Sequence, residues 1–294
     1  MIQTFTEKWL EAVDRKNTVL CAGLDPAEYE MGRGDESLSQ GVDKFEWAKK
    51  YISAVAPFCA AIKPNLQYWK NNYGMDQVAY LTKLSHELGM VVIDDSKLAD
   101  IGSTNDAGMY HTQDKKMDAV TLACFAGNMK EASEQCKARN LGGIHMCIMS
   151  NLDYKREKNK WVEVAEEDYD KNDIFVIGDK PHVKQYIQLA NDSRKFGLEG
   201  VVIGAPSKKN HITEPEIERA RFYTAGQMLV LLPGVGAQGG EADAIWKYFS
   251  ETNVIVNVGR GMMFPKGSNS TPQEQADAAK TYRDMLNGLR AKAA

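Results

Sequence analysis

The sequence predicts a (β/α)8 barrel, and three observations carry that expectation. Eight short apolar, β-rich runs recur along the 294 residues: TVLCAGLD, CAAIKPN, MVVIDD, DAVTLA, GIHMCIMS, GVVIGA, LVLLPG and NVIVNVG. Stretches of helical period lie between them, among them VDKFEWAKKYISAVAPF, VAYLTKLSHELG and HVKQYIQLANDSRKFG. Helix starts are signed as well, since Asp43 to Glu46, Thr213 to Glu216 and Thr271 to Glu274 each have capping-box spacing. Near-continuous apolar strands alternating with helices are buried on both faces, which points to a parallel sheet, and eight of them point to its closure.

The elements follow in order. The N-terminal MIQTFTEKWLEAVDRKN places its apolar residues at helical spacing among charges, and it lacks the basic start and apolar block of a signal peptide. The first strand ends at Asp25, the second at Lys63-Pro-Asn, and the third at Asp95 with Lys97 close behind. The fourth ends TLACFAGN and the fifth at Ser150. The strands are spaced by roughly 25 to 40 residues, as βα units require, until a gap of more than about 50 opens between the fifth and sixth runs. That gap holds an insertion, Asn151 to about Lys180, dense in charge and containing DIFVIGD, which could form a short strand. It reads as a surface excursion, with a lid or a subunit contact as the other possibility. The seventh strand runs into PGVGAQGG and the eighth into NVGRG, and no linker divides the chain, so residues 1–294 are expected to form a single domain.

Composition excludes several classes. A net charge of -4 and a pI near 5.8 argue against a general nucleic-acid binder, so any phosphate bound is expected to be a small-molecule one. Five cysteines, an odd number without C-x-x-C spacing, read as buried thiols in a reducing, cytoplasmic compartment. No apolar run reaches the roughly 18 residues of a membrane span, so no membrane association is expected. The five histidines fall in helices or loops, apart from His145 in a strand, and show no metal-binding spacing; no metal is expected.

In such a barrel the side chains at the carboxyl ends of strands face the active site. That filter selects Asp25, Lys63, Asp95 with Lys97, Ser150, the PGVGAQGG loop from Pro233, and Gly259 with Arg260. Asp95 and Lys97 are two apart, so an extended backbone points both to one side, with Lys63 arriving from the neighbouring strand and Asp100 three residues on. Charges this dense at an apolar strand end are tolerable only if their signs alternate, as they do in Lys63, Asp95, Lys97 and Asp100. A solvated strand-to-helix turn is the plainer reading of DDSKLAD. The glycine-rich loop, with Gln238, and Arg260 after the eighth strand fit a phosphate site, where a bland turn with a salt bridge is the alternative.

Together these residues resemble a known family. Asp95-Ser-Lys97-Leu-Ala-Asp100-Ile101 resembles the D-x-K-x-x-D-I signature of orotidine 5′-phosphate decarboxylases, and PGVGAQGG followed by VGR resembles that family's phosphate grip. GLD, IKPN, IMS and GVVIGA fall in the expected order, so the likeness spans nearly the whole chain, and KPN with the large insertion is closest to the longer bacterial branch. The resemblance implies cofactor-independent decarboxylation of orotidine 5′-phosphate to UMP in pyrimidine biosynthesis. It implies that Asp25 and Lys63 bind the ribose, that Asp95 and Lys97 flank the carboxylate and C6, and that Asp100, Ile101 and Thr104 reach a partner subunit's site in a homodimer. It further implies that Ser150 reads the pyrimidine edge, that Gln238 bridges base and phosphate, and that Gly259 and Arg260 hold the phosphate, with Pro233 part of the substrate site. The fourth strand departs from the pattern, since a polar residue is expected near Ala123. The rival readings are a metal-dependent sugar-phosphate decarboxylase or synthase on the same barrel, and a catalytically inactive nucleotide-binding barrel.

Overall fold

Eight parallel strands close on themselves in chain order, the eighth pairing with the first. The structure is a computed structural model and describes residues 3–235 and 242–293. The barrel strands are Leu20–Leu24, Ala61–Pro64, Val91–Leu98, Ala119–Leu122, Gly142–Ile148, Gly200–Ile203, Leu229–Pro233 and Val254–Val258, one for each apolar run of the sequence. Cys21 shows the closure, standing in register with Ala61 on one side and with Asn257 on the other. The first, second, fourth and sixth strands are buried along their whole length, since one face meets the lumen and the other meets helices.

The helix Phe5–Lys16 closes the end of the barrel where the strands begin. Its N-cap Thr4 and Glu7 form a capping box, and its buried stripe is Phe5, Trp9, Ala12 and Val13. Trp9 donates its indole N–H to the carbonyl of Thr252 at 2.7 Å, just before the eighth strand. Glu199, before the sixth, accepts from the Thr6 backbone N–H at 2.6 Å. Lys8 pairs with Asp118, before the fourth, at 2.9 Å. Gly142 opens the fifth strand directly against Phe5, where any Cβ would lie 2.5 Å from the Phe5 Cβ.

Two of the expected capping boxes form: Glu216 accepts from Thr213 N–H at 2.9 Å, and Glu274 from Thr271 N–H at 2.8 Å. Asp43 differs. Its carboxylate caps Phe45 and Glu46, but Glu46 turns along the helix to Lys49 and does not return to Asp43. The insertion also differs in extent. It holds a short helix, Tyr154–Lys158, and a three-stranded antiparallel sheet in which Lys180–Lys184 lies between Trp161–Glu163 and Phe175–Ile177. DIFVIGD does supply a strand, but the segment runs to Lys184, His182 is a strand residue, and the next helix begins at Gln185. Lys158, buried to 1% exposure, fastens this insertion to the barrel by pairing with Glu216 and donating to the His211 carbonyl at 2.8 Å.

All five cysteines are free and buried, and no helix among the described residues is long and apolar enough to cross a membrane.

Candidate active site

Lys63 sits near the end of the second strand and Asp95 near the end of the third, at 5% and 7% exposure. The Lys63 ammonium donates to Asp95 Oδ2, and the Lys97 ammonium donates to Oδ1 at 2.6 Å. Thr121, from the fourth strand, adds its hydroxyl to Oδ1 at 3.2 Å. One buried carboxylate thus receives two cations and a neutral donor, which is what makes its burial tolerable. Burial pushes the Asp95 carboxyl up, but Lys63 and Lys97 overcome that and hold it down at about 2. Burial likewise works against the charge on Lys63, and Asp95 with Asp25 reverses it, so its pKa lies above that of an ordinary lysine.

Lys97 reaches Asp95 by a route that simple alternation does not anticipate. Its φ is +51°, in the left-handed region, and the register with the fourth strand shifts between Asp94 and Leu98. The side chain is aimed by a bulge, not by extended backbone. A non-glycine residue held there costs on the order of 1 to 3 kcal/mol, and such strain persists only where the surroundings enforce it. Here the Lys97 N–H is held by the Thr121 hydroxyl at 2.9 Å.

These groups border a cavity of about 210 Å³ at the strand ends. Lys63, Asp95, Lys97 and Thr121 supply its polar side, and Met146, Met149, Val202 and Leu231 an apolar wall, with Ser150, Asn151 and Pro233 completing the lining. Asp25 is close enough to feel both lysines and Asp95; burial raises its pKa, Lys63 opposes that rise, and its Oδ1 is buried with no hydrogen-bond partner among the described residues. Asn65, in the KPN segment, lies near enough to Asp25 to help hold its pKa down against burial.

Beside Asp25, the first and eighth strands approach so closely that a Cβ on Gly23 would lie 2.8 Å from the Gly259 Cα. Arg260 opens the short helix Arg260–Met263, and its guanidinium donates to Glu36, on the loop after the first strand, at 2.5 Å. Gln238 lies outside the described residues. Asp100, Ile101 and Thr104 are exposed at and beside the start of helix Gly102–Asp114. Within the chain Asp100 does not join the array, its carboxylate taking the Ile101 N–H at 2.8 Å. Lys63, Asp95 and Lys97 therefore converge, while the fourth expected charge faces outward.

Thr121 escapes a filter for residues at the ends of apolar runs because it lies inside DAVTLA; the period of two along the strand is the signal that places it in the lumen. Tyr68 and Trp69 serve in packing, Trp69 being fully buried. Among the described residues no group of three or more His, Cys, Asp or Glu is placed to hold a metal ion.

The family model for "Orotidine 5'-phosphate decarboxylase / HUMPS family" matches residues 18–271, which spans every barrel strand and the site. The chain belongs to this family. As a member of the orotidine 5′-phosphate decarboxylase / HUMPS family, it is 29% identical to an orotidine 5′-phosphate decarboxylase of Ralstonia pickettii, over 97% of this chain and 99% of that protein. It is also 29% identical to one of Halobacterium salinarum, over 97% and 98% of the two chains. The structure of Leishmania donovani OMP decarboxylase shares the fold at a TM-score of 0.72 and 19% identity, covering 98% of this chain and 99% of that one.

Proposed function

We propose that this chain decarboxylates orotidine 5′-phosphate to UMP without a cofactor. The observation that carries this reading is the convergence of Lys63, Asp95 and Lys97 on one cavity at the strand ends, in a chain of this family. The C6–carboxylate bond breaks, its electron pair stays on C6 in the ring plane, and CO2 departs. That lone pair is orthogonal to the ring π-system, so stabilisation has to come from nearby charge. An ammonium about 4 Å away contributes on the order of 4 kcal/mol at an effective dielectric near 20, and more as water leaves. Lys97 then gives a proton to C6 and regains one from solvent. Asp95 holds the Lys97 ammonium in place and crowds the departing carboxylate with like charge.

The remaining roles are those that the family resemblance implies. Asp25, with its unpartnered buried oxygen, and Lys63 bind the ribose hydroxyls; Ser150 and Pro233 border the pyrimidine. Gln238, Gly259 and Arg260 take the phosphate, whose binding energy is spent at a distance from the breaking bond. Asp100, Ile101 and Thr104 complete the site of a second copy, which their exposure on one chain supports. The buried free thiols fit an enzyme of the cytoplasm.

Following the absorbance of orotidine 5′-phosphate tests the proposal. Turnover is expected to survive a chelator, and Lys97→Ala is expected to keep the fold and UMP binding while losing at least about a thousandfold in kcat. Near-normal turnover by Lys97→Ala overturns the assigned mechanism. Loss of turnover on chelation would favour the metal-dependent chemistry.

A further inference from the structure

We propose that Asp94 is a positioning residue for Lys97, its carboxylate fixing the bulge that aims the ammonium at the cavity; this rests on the catalytic reading of Lys97 given above. Asp94 and Asp95 are consecutive on a strand, so they point to opposite sides. Asp95 faces the lumen, and Asp94 faces helix Gly102–Asp114 at 1% exposure. Among the described residues it makes no ion pair. Two hydroxyls hold it instead: Thr112 Oγ1 donates to Oδ2 at 2.5 Å, and Ser96 Oγ donates to Oδ1.

A buried carboxylate whose nearby cation, Lys115, is not within ion-pair distance is a costly way to fill space where an aliphatic side chain would pack. What it accomplishes is local. Ser96 immediately precedes Lys97, and Thr112 lies on the helix that follows, so one carboxylate ties both sides of the bulge together. The Thr121 hydroxyl takes the Lys97 N–H at 2.9 Å, and its one proton is shared between Asp95 Oδ1 at 3.2 Å and the Asp94 carbonyl at 3.3 Å. Leu98 completes the grip on the far side, with its Cδ2 2.7 Å from where a Gly108 Cβ would stand, one helical turn before Thr112. The left-handed Lys97 is thus braced from the outside of the barrel by Asp94 and from the inside by Thr121.

The test compares Asp94→Asn, Thr112→Val and Thr112→Ser with the parent enzyme and with Lys97→Ala, measuring kcat, KM, UMP affinity by calorimetry and thermal stability. Displacing a catalytic group by a fraction of an ångström to an ångström costs about ten- to a hundredfold in rate, so Asp94→Asn and Thr112→Val are expected to lose that much kcat. KM and UMP affinity should stay within about threefold, because product binding does not depend on where the ammonium points. Thr112→Ser, which keeps the hydroxyl, is expected to return kcat to within about threefold of the parent. If Asp94→Asn fails to fold, the near-isosteric Thr112→Val decides. Unchanged kcat in Thr112→Val overturns the proposal, as does a joint fall of kcat, UMP affinity and stability that Thr112→Ser fails to relieve. Normal turnover by Lys97→Ala would overturn the catalytic reading itself, whereas an inactive Lys97→Ala beside a normal Thr112→Val would remove the positioning role alone.

Discussion

His145 shows what burial does to a single titratable group. It is fully buried in the fifth strand, accepts the Cys124 N–H through Nε2 at 3.0 Å, and burial pushes its pKa down to about 3. In the unfolded chain a histidine titrates near 6.5. Between those values the unfolded state binds a proton that the folded state refuses, so this stability is whole above about 6.5 and declines as the pH falls toward 3. Urea midpoints measured across that range should fall, and His145→Gln should flatten the fall by up to about 1.4 kcal/mol per pH unit; equal slopes would mean that the folded chain takes the proton. Asp95 obeys the same sign lower down, its contribution disappearing as the pH drops through about 2. Residue identities at the strand ends were legible because Lys63, Asp95 and Lys97 are charged where apolar runs stop. The left-handed turn at Lys97 was not, since it depends on Asp94, Thr112 and Thr121, and two of those are distant in sequence.

Among the elements, helix Phe5–Lys16 is the one whose role outgrew its sequence signal. Helical spacing revealed its apolar stripe, but nothing local says that the helix is seated beneath the starts of the fourth, fifth, sixth and eighth strands. Trp9→Ala removes a fully buried ring and its hydrogen bond to Thr252, and is expected to cost about 3 to 5 kcal/mol in equilibrium unfolding while leaving KM unchanged. A loss under about 1 kcal/mol would show the helix to be an ornament of the barrel. The insertion boundary slipped for an identifiable reason. Val183 and Ile187 are both buried and four apart, so a helical period passes unbroken from the strand Lys180–Lys184 into the helix Gln185–Phe196.

At the scale of the whole molecule, closure was the most legible property, because eight doubly buried strands have few other solutions. Assembly was less so: Asp100, Ile101 and Thr104 are exposed on one chain, and their proposed place in a second copy's site needs that copy. Mixing inactive Lys97→Ala with inactive Asp100→Ala subunits should restore activity, to about a quarter of the parent's if subunits pair at random and each mixed dimer regains one site. No recovery, with exchange verified by mass, would count against shared sites. The seal formed by helix Phe5–Lys16 has a consequence for traffic. Among the described residues the charged cavity lies at the opposite, carboxyl ends of the strands, and inward side chains fill a barrel of this size, so a reactant and its products enter and leave through that mouth.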